Sequence, residues 1–276
     1  MAKALTPEQR AAFARDGFLS SIDILSADEA HVCRKQLEAA EARWPDDSLG
    51  ANRNNAHLVL PFLDRLTHHP AILDVVEDLI GPDLLVDGSV LFIKEARSEG
   101  FICWHQDGTY MGLEPDDGVT AWIALTPSNR SNGCISIIPG THKSGIHDHH
   151  DQFDANNLLT RGQAIDDVAA DRAVDLVFEP SQASFHHSRT IHGSQPNQSD
   201  TRRIGFAVQS YIRADVRQTK AEGFAQHARG QTDSSVMSLL PRPSGALKPE
   251  DTARREHINR VWSDVLYAGA ERRRNY

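Results

Sequence analysis

Whether this chain has a β core turns on how Phe101-Ile102-Cys103-Trp104-His105-Gln106-Asp107 is assigned. Apolar and aromatic residues lead into a polar tip, then into Gly108-Thr109-Tyr110. That pattern predicts a strand over 101–107 that exits into a loop. In a strand, His105 and Asp107 would point to one face with α-carbons roughly 6–7 Å apart, close enough to grip one metal ion. Working outward, the same texture recurs at Leu84 to Lys94, Val119 to Leu125 and Gly133 to Ile138, the last closed by Pro139-Gly140. It returns at Val174 to Phe178, Ala183 to His192 and Arg203 to Ile212. At least seven short strands with turn signals between them predict a sandwich or barrel, jelly rolls included.

Upstream the period is helical. Thr6-Pro7-Glu8-Gln9 offers a cap, proline at the first helical position and Gln three residues after the cap. Ser26-Ala27-Asp28-Glu29 is a capping box, and Ala30, Cys33, Leu37 and Ala40 then share a helix face that should stop before Trp44-Pro45. From Pro70, the residues Ile72, Leu73, Val76, Leu79 and Ile80 line one side of a helix ending at Gly81-Pro82. After Pro249, Ile258, Val261, Trp262, Val265 and Leu266 mark a last amphipathic helix. The expected architecture is mainly β with flanking helices, one domain over 1–276. Within it we expect a helical N-terminal part at about 1–82, a β core at about 84–213 and a C-terminal helical segment at about 249–270. Thr141 to Arg172 is a polar connection too long for a turn, the kind that forms lids or binding loops.

Composition narrows the function classes. With 39% hydrophobic residues and no apolar run near the roughly 20 residues of a membrane helix, no membrane partner is expected. The formal charge of -9 disfavours nucleic acid, whose binding needs a basic footprint. The short run Arg272-Arg273-Arg274 reads as a solvated helix end. Met1-Ala2-Lys3-Ala4-Leu5 shows no apolar signal core, and three scattered cysteines suit no disulfide framework, so a reducing cytoplasm is the expected location. A small-molecule substrate and a monomer or homodimer complete the expectation.

His105 and Asp107 have one distant partner, His192, which also ends an apolar strand and precedes Gly193-Ser194. Two histidines and one carboxylate on three corners of a metal form the facial triad of non-haem Fe(II) oxygenases. A jelly roll can bring two such strand ends to one mouth. Other residues compete. His186 shares the strand parity of His192, whereas His187 points the other way. His147-Asp148-His149-His150 reads as a solvated loop, and Cys103, on the face of His105, would favour zinc if it ligated. Eleven residues past His192, a cation on the next strand suits a carboxylate clamp. Arg203 shares its face with Gly205, Ala207 and Gln209, leaving room for a ligand. Arg202 shares its face with Ile204, Phe206 and Val208, a packed apolar surface, so alternation favours Arg203 and leaves Arg202 as the alternative.

These blocks resemble the phytanoyl-CoA dioxygenase-like (PhyH) family of Fe(II)- and 2-oxoglutarate-dependent oxygenases. The resemblance runs from Asp16-Gly17-Phe18 to Tyr211 and is densest at Trp104–Asp107, Val119–Leu125, Asn132-Gly133-Cys134, Ile138–Lys143 and His192-Gly193-Ser194. It implies a double-stranded β-helix, the cupin-like jelly roll, with iron on His105, Asp107 and His192. It further implies 2-oxoglutarate anchored by Arg203 and helped by Ser194, Gln106 and Trp122. The reaction implied consumes O2, releases succinate and CO2, and hydroxylates a C–H bond. Halogenating relatives lack the carboxylate ligand, and Asp107 fills that place here. The alternatives are a non-oxidative cupin-type metalloenzyme using Zn, Mn or Ni, or a non-catalytic jelly-roll binding protein. A CoA thioester would want cations that the acidic stretch Asp148 to Asp154 does not offer, so a small metabolite is favoured. Phe92, Tyr110, Met111 and His187 are candidate pocket walls.

Overall fold

A computed structural model describes residues 4–46, 53–233 and 235–273. Met1 to Lys3 and Arg274 of the basic run lie outside the described residues. The helices start where the sequence places their caps. In α1 (Pro7–Asp16) the Thr6 side chain accepts from Gln9 N while the Gln9 side chain accepts from Thr6 N. In α2 (Ala27–Arg43) Ser26 and Glu29 repeat that exchange, which satisfies amides that a helix start otherwise leaves open. α2 stops at Trp44, ahead of the proline that cannot continue it. Two N-terminal elements escape the helical reading. The seven-residue helix α3 (Pro61–Thr67) is too short to show a period, and α4 (Pro70–Ile80) follows it directly. The segment expected to be mainly helical also contributes a strand, β1 (Phe18–Asp23).

The remaining strands run β2 (Leu84–Val86), β3 (Val90–Lys94), β4 (Ile102–His105), β5 (Leu113–Glu114) and β6 (Val119–Ala124). Then come β7 (Ile135–Ile137), β8 (His150–Asp151), β9 (Gln163–Ala164), β10 (Val174–Leu176), β11 (Gln182–His187) and β12 (His192–Ser194). The long β13 (Arg203–Arg213) precedes β14 (Arg217–Gln218), β15 (Phe224–Arg229), β16 (Ser238–Leu239) and the helix α5 (Pro249–Leu266). Eight strands form the major sheet in the order β1-β11-β6-β13-β2-β15-β16, with β3 also on β13. Four form the minor sheet, β10-β7-β12-β4.

Strand alternation builds two apolar layers on the major sheet. Val119, Ala121 and Ile123 of β6, with Ile204, Phe206 and Val208 of β13, pack with Leu37, Leu63, Ile72 and Val76 of the helices. The opposite faces, Trp122 and Ala124 with Ala207, pack against Ile135, Ile137 and Leu176 of the minor sheet. β6 is therefore buried along its whole length, which is why it reads as a continuous apolar run. Two sheets closed over a shared interior, with helices on the outer face, make the jelly roll.

A bulge in β13 breaks the alternation. Register against β6 shifts between Val208 and Tyr211, and Ser210 takes a left-handed φ of 70°. The extra residue returns Tyr211 to the helix side, where it packs beside Val208, while Gln209 keeps the interior face that alternation from Arg203 and Ala207 gives it. The long connection after Thr141 is not a free lid. His150 and Asp151 pair with Ala164 and Gln163, and Arg161 within it is buried, bonded to Asp151 and to Leu266 O.

Candidate metal centre

β4 and β12 are antiparallel neighbours, and their register sets His105 directly opposite His192. The two imidazole centroids are 4.2 Å apart. His105 Nδ1 lies 3.0 Å from the carbonyls of Cys103 and His192, and His192 Nδ1 lies 3.0 Å from the carbonyl of Thr190. A carbonyl only accepts, so each Nδ1 carries the proton and each Nε2 keeps its lone pair. Those Nε2 atoms face Asp107 Oδ1 at 3.5 and 3.8 Å. One ligand atom from each of His105, Asp107 and His192 falls within 4.8 Å of the others, and all three residues are buried. Burial, then the neighbouring His105, lowers His192 to a pKa of about 3, so it is the neutral imidazole a metal requires. Burial would raise Asp107, but His192, His105 and His186 outweigh it and hold the carboxyl well below its usual range.

The expected strand over 101–107 stops short. β4 ends at His105, and Gln106 N donates to His149 Nε2 at 3.1 Å instead of to a strand partner. Asp107 is carried on the following turn, where Gly108 N donates to Ser188 O. Its far oxygen is fixed by two groups, one unexpected and one weighed only as a rival ligand. Thr120 Oγ1 donates to Asp107 Oδ2 at 2.7 Å, and His186 Nε2 lies 3.2 Å from the same atom. Thr120 and His186 are cross-strand partners on β6 and β11. His186, a rival for the third ligand position, thus faces Oδ2 while His192 faces Oδ1. Parity would have found Thr120, which shares a face with Trp122.

The three residues line a small cavity together with Thr120, Trp122, Ser194 and Arg203. Arg203 is 1% exposed. Its Nη1 donates to Gly133 O at 2.9 Å, but Nε and Nη2 are buried without partners. Its guanidinium stands 5.2 Å from the Trp122 ring, which stacks on Phe178. Arg202 is spent elsewhere, on Glu41 at 2.6 Å and Glu95 at 2.9 Å. The room at Gly205 is filled by Trp122, whose ring an added Cβ would strike at 1.9 Å, so the open space lies at Ala207 and Gln209.

Gln106 departs from its expected role. Its Nε2 donates to Gly145 O and Arg189 O at 2.8 and 2.6 Å, and its Oε1 accepts from His147 N at 2.7 Å. The amide is saturated by loop backbone and ties the 145–147 segment to the turn before His192. The His147–His150 run is only half solvated, because His149 is drawn in by Gln106 N and lies 3.0 Å from Thr109 Oγ1. Cys103 Sγ lies against Gln163 O and Asn157 Nδ2, outside the ligand group.

Lys94 was not foreseen, although it shares strand parity with Phe92 of the cavity wall. It is buried, and its Nζ donates to Ser194 Oγ at 2.7 Å and to Gln195 O. Burial, then the charge of Arg203, lowers its pKa to about 6. Between about pH 6 and about pH 10.5 the unfolded chain therefore holds a proton the folded chain lacks, and stability rises with pH by up to about 1.4 kcal/mol per unit. Denaturant melts at about pH 7 and about pH 9 should show Lys94→Met losing that slope relative to the parent. An unchanged slope would mean that Lys94 stays protonated when folded.

Fold and donor set together place the chain among the non-haem iron oxygenases that take 2-oxoglutarate as cosubstrate. More particularly, the chain belongs to the phytanoyl-CoA dioxygenase (PhyH) family, whose model matches residues 13–205. A probable alpha-ketoglutarate-dependent hypophosphite dioxygenase of Stutzerimonas stutzeri is 30% identical over 164 residues, 59% of this chain and 57% of that protein. A solved non-heme monooxygenase, ThoJ in its apo form, superposes with TM-score 0.83 at 31% identity, covering 94% of this chain and 98% of that one. CytC3 with Fe(II) and alpha-ketoglutarate superposes with TM-score 0.65 at 25% identity, covering 88% and 96%. Among the described residues no helix is long and apolar enough to cross a membrane.

Proposed function

We propose that the protein hydroxylates a C–H bond of a small metabolite, with Fe(II) on His105, Asp107 and His192 and 2-oxoglutarate anchored by Arg203. The observation that carries this reading is the buried Arg203 guanidinium, with Nε and Nη2 unpartnered in the ligand cluster's own cavity. Such a cation is costly unless a carboxylate completes it, and the distal carboxylate of 2-oxoglutarate is a planar bidentate match. When bound, iron and 2-oxoglutarate supply an O2-dependent oxidation that yields succinate, CO2 and a hydroxylated product.

The chain's own residues do the positioning. Backbone carbonyls fix both imidazole tautomers, and Thr120 and His186 pin one carboxylate oxygen so that the other turns to the histidines. Ser194, oriented by Lys94, presents its hydroxyl beside Arg203. Trp122 lies along the guanidinium and keeps that region dry. A hydrolytic cupin-type metalloenzyme would not require the buried arginine, and the intact His105, Asp107 and His192 cluster argues against a binding protein with a vestigial site.

The test is anaerobic reconstitution. A visible absorption band should form only when Fe(II) and 2-oxoglutarate are both present, and succinate should accumulate once air is admitted. No band and no succinate would sink the reading.

A further inference from the structure

Lys94 and Arg203 stand directly opposite each other in the antiparallel pair of β3 and β13. Residues at such a register have Cβ atoms roughly 4.5–5.5 Å apart, and two like charges there destabilise the pair. Both side chains are 1% exposed, and among the described residues neither is ion-paired. Their nitrogens converge on Gly133. Its carbonyl accepts from Arg203 Nη1 at 2.9 Å, and a Cβ added there would lie 3.0 Å from Lys94 Nζ. The neighbouring ionisable groups offset neither charge. Cys134 is held as the thiol, because burial and Asp175 push its pKa up to about 11. Asp175 itself lies 2.6 Å from Arg130, and Glu95 is turned to Arg202 at 2.9 Å.

The hydrogen bonds at Lys94 suit an amine better than an ammonium. Nζ donates to Ser194 Oγ at 2.7 Å and to Gln195 O, which uses both N–H groups of the neutral form. The ammonium has three, and its third would be stranded in a buried site. Burial and the Arg203 charge act in the same direction, lowering Lys94 to a pKa of about 6. A carboxylate at Arg203 reverses this balance. Ser194 lines the cavity beside Arg203, and its Oγ accepts from Lys94, which leaves its own O–H to donate to the ligand. An anion there cancels the guanidinium charge that Lys94 feels and adds an attraction of its own, weakly screened at this burial.

We propose that 2-oxoglutarate binds together with one proton: Lys94 is the neutral amine in the free protein and the ammonium once the cosubstrate carboxylate is seated at Arg203. The inference rests on the oxygenase reading above and adds to it a positioning residue whose charge the ligand itself brings out. Affinity must then fall as pH rises. Below about pH 6 Lys94 is already charged in the free protein and the affinity is level. Above that, each pH unit lowers it by up to about tenfold, until the raised pKa of the bound state is reached.

Calorimetric titration of 2-oxoglutarate into the Fe(II)-loaded full chain under argon tests this. Running it in MOPS, HEPES and Tris at about pH 8, and in MES and bis-Tris at about pH 5.5, counts protons from the dependence of the heat on buffer ionisation enthalpy. About one proton should be taken up at the higher pH and well under half of one at the lower. Affinity should drop by about tenfold between pH 7 and pH 8. Lys94→Met should lose both the uptake and the pH dependence while still binding 2-oxoglutarate through Arg203. If that variant does not fold, the comparison of the two pH values in the parent carries the test. Binding without uptake at pH 8, or equal uptake in Lys94→Met, overturns the inference and leaves the oxygenase reading standing. No binding of 2-oxoglutarate at either pH overturns that reading, and the inference with it.

Discussion

Asp107→Ala should weaken Fe(II) binding by at least about 100-fold, about 2.7 kcal/mol, and stop succinate formation. The reason is charge. His192 is neutral in this environment, and Asp107 contributes the anion of the cluster. Deleting it also strands Thr120 Oγ1 and His186 Nε2, which now share Asp107 Oδ2 as their acceptor. Thr120→Val and His186→Phe, which leave the ligands in place but free the carboxylate to swing, should each cost about 10–100-fold in metal affinity. Anaerobic calorimetric titration of Fe(II) into the variants gives the ranking. Parent affinity in Asp107→Ala combined with complete loss in His186→Ala would mean that His186, and not Asp107, is the ligand.

Arg203→Met should weaken 2-oxoglutarate binding by about 100-fold or more, about 2.7 kcal/mol, with Fe(II) binding nearly unchanged. The same change should raise the melting temperature of the cosubstrate-free protein by a few degrees. A guanidinium at 1% exposure with two unpartnered donor nitrogens is a destabilising burial, and a flexible apolar side chain of similar length relieves it. Burial already lowers the Arg203 pKa to about 10. Arg202→Ala should instead leave 2-oxoglutarate affinity intact, because its guanidinium is committed to Glu41 and Glu95. Thermal melts with and without 2-oxoglutarate read both effects at once. If Arg203→Met melts lower and still responds to 2-oxoglutarate, Arg203 is a packing residue and the carboxylate sits elsewhere.

The helix boundaries were legible because capping is local. Thr6 with Gln9 and Ser26 with Glu29 exchange bonds across one turn, so four consecutive residues carry the whole signal. Helix α3 and the strand β1 were not, the first being shorter than a reliable period and the second depending on pairing with β11. Parity separated Arg203 from Arg202 correctly in geometry, since Ile204, Phe206 and Val208 do pack on the helix side. It misjudged Gly205, whose space belongs to a ring from the neighbouring strand. Of the candidate walls, Phe92 lines the metal cavity, whereas Met111 packs with Leu266 and Tyr267, Tyr110 lies under Arg161 and His187 packs beside His142.

By itself, the sequence determined the main helices and core strands, the donor residues and the family, because these follow from short-range pattern and side-chain chemistry. Only the tertiary structure decided what those donors face. The register of β4 against β12 sets His105 opposite His192, and the pairing of β6 with β11 brings Thr120 and His186 to Asp107. The loop backbone that saturates Gln106, the Lys94 nitrogen beneath Ser194, and the bulge that turns Tyr211 to the helix side are likewise long-range facts. A residue's identity limits which bonds it can make, but the partner that satisfies a buried polar atom comes from strands distant in the chain, and pairing alone chooses it.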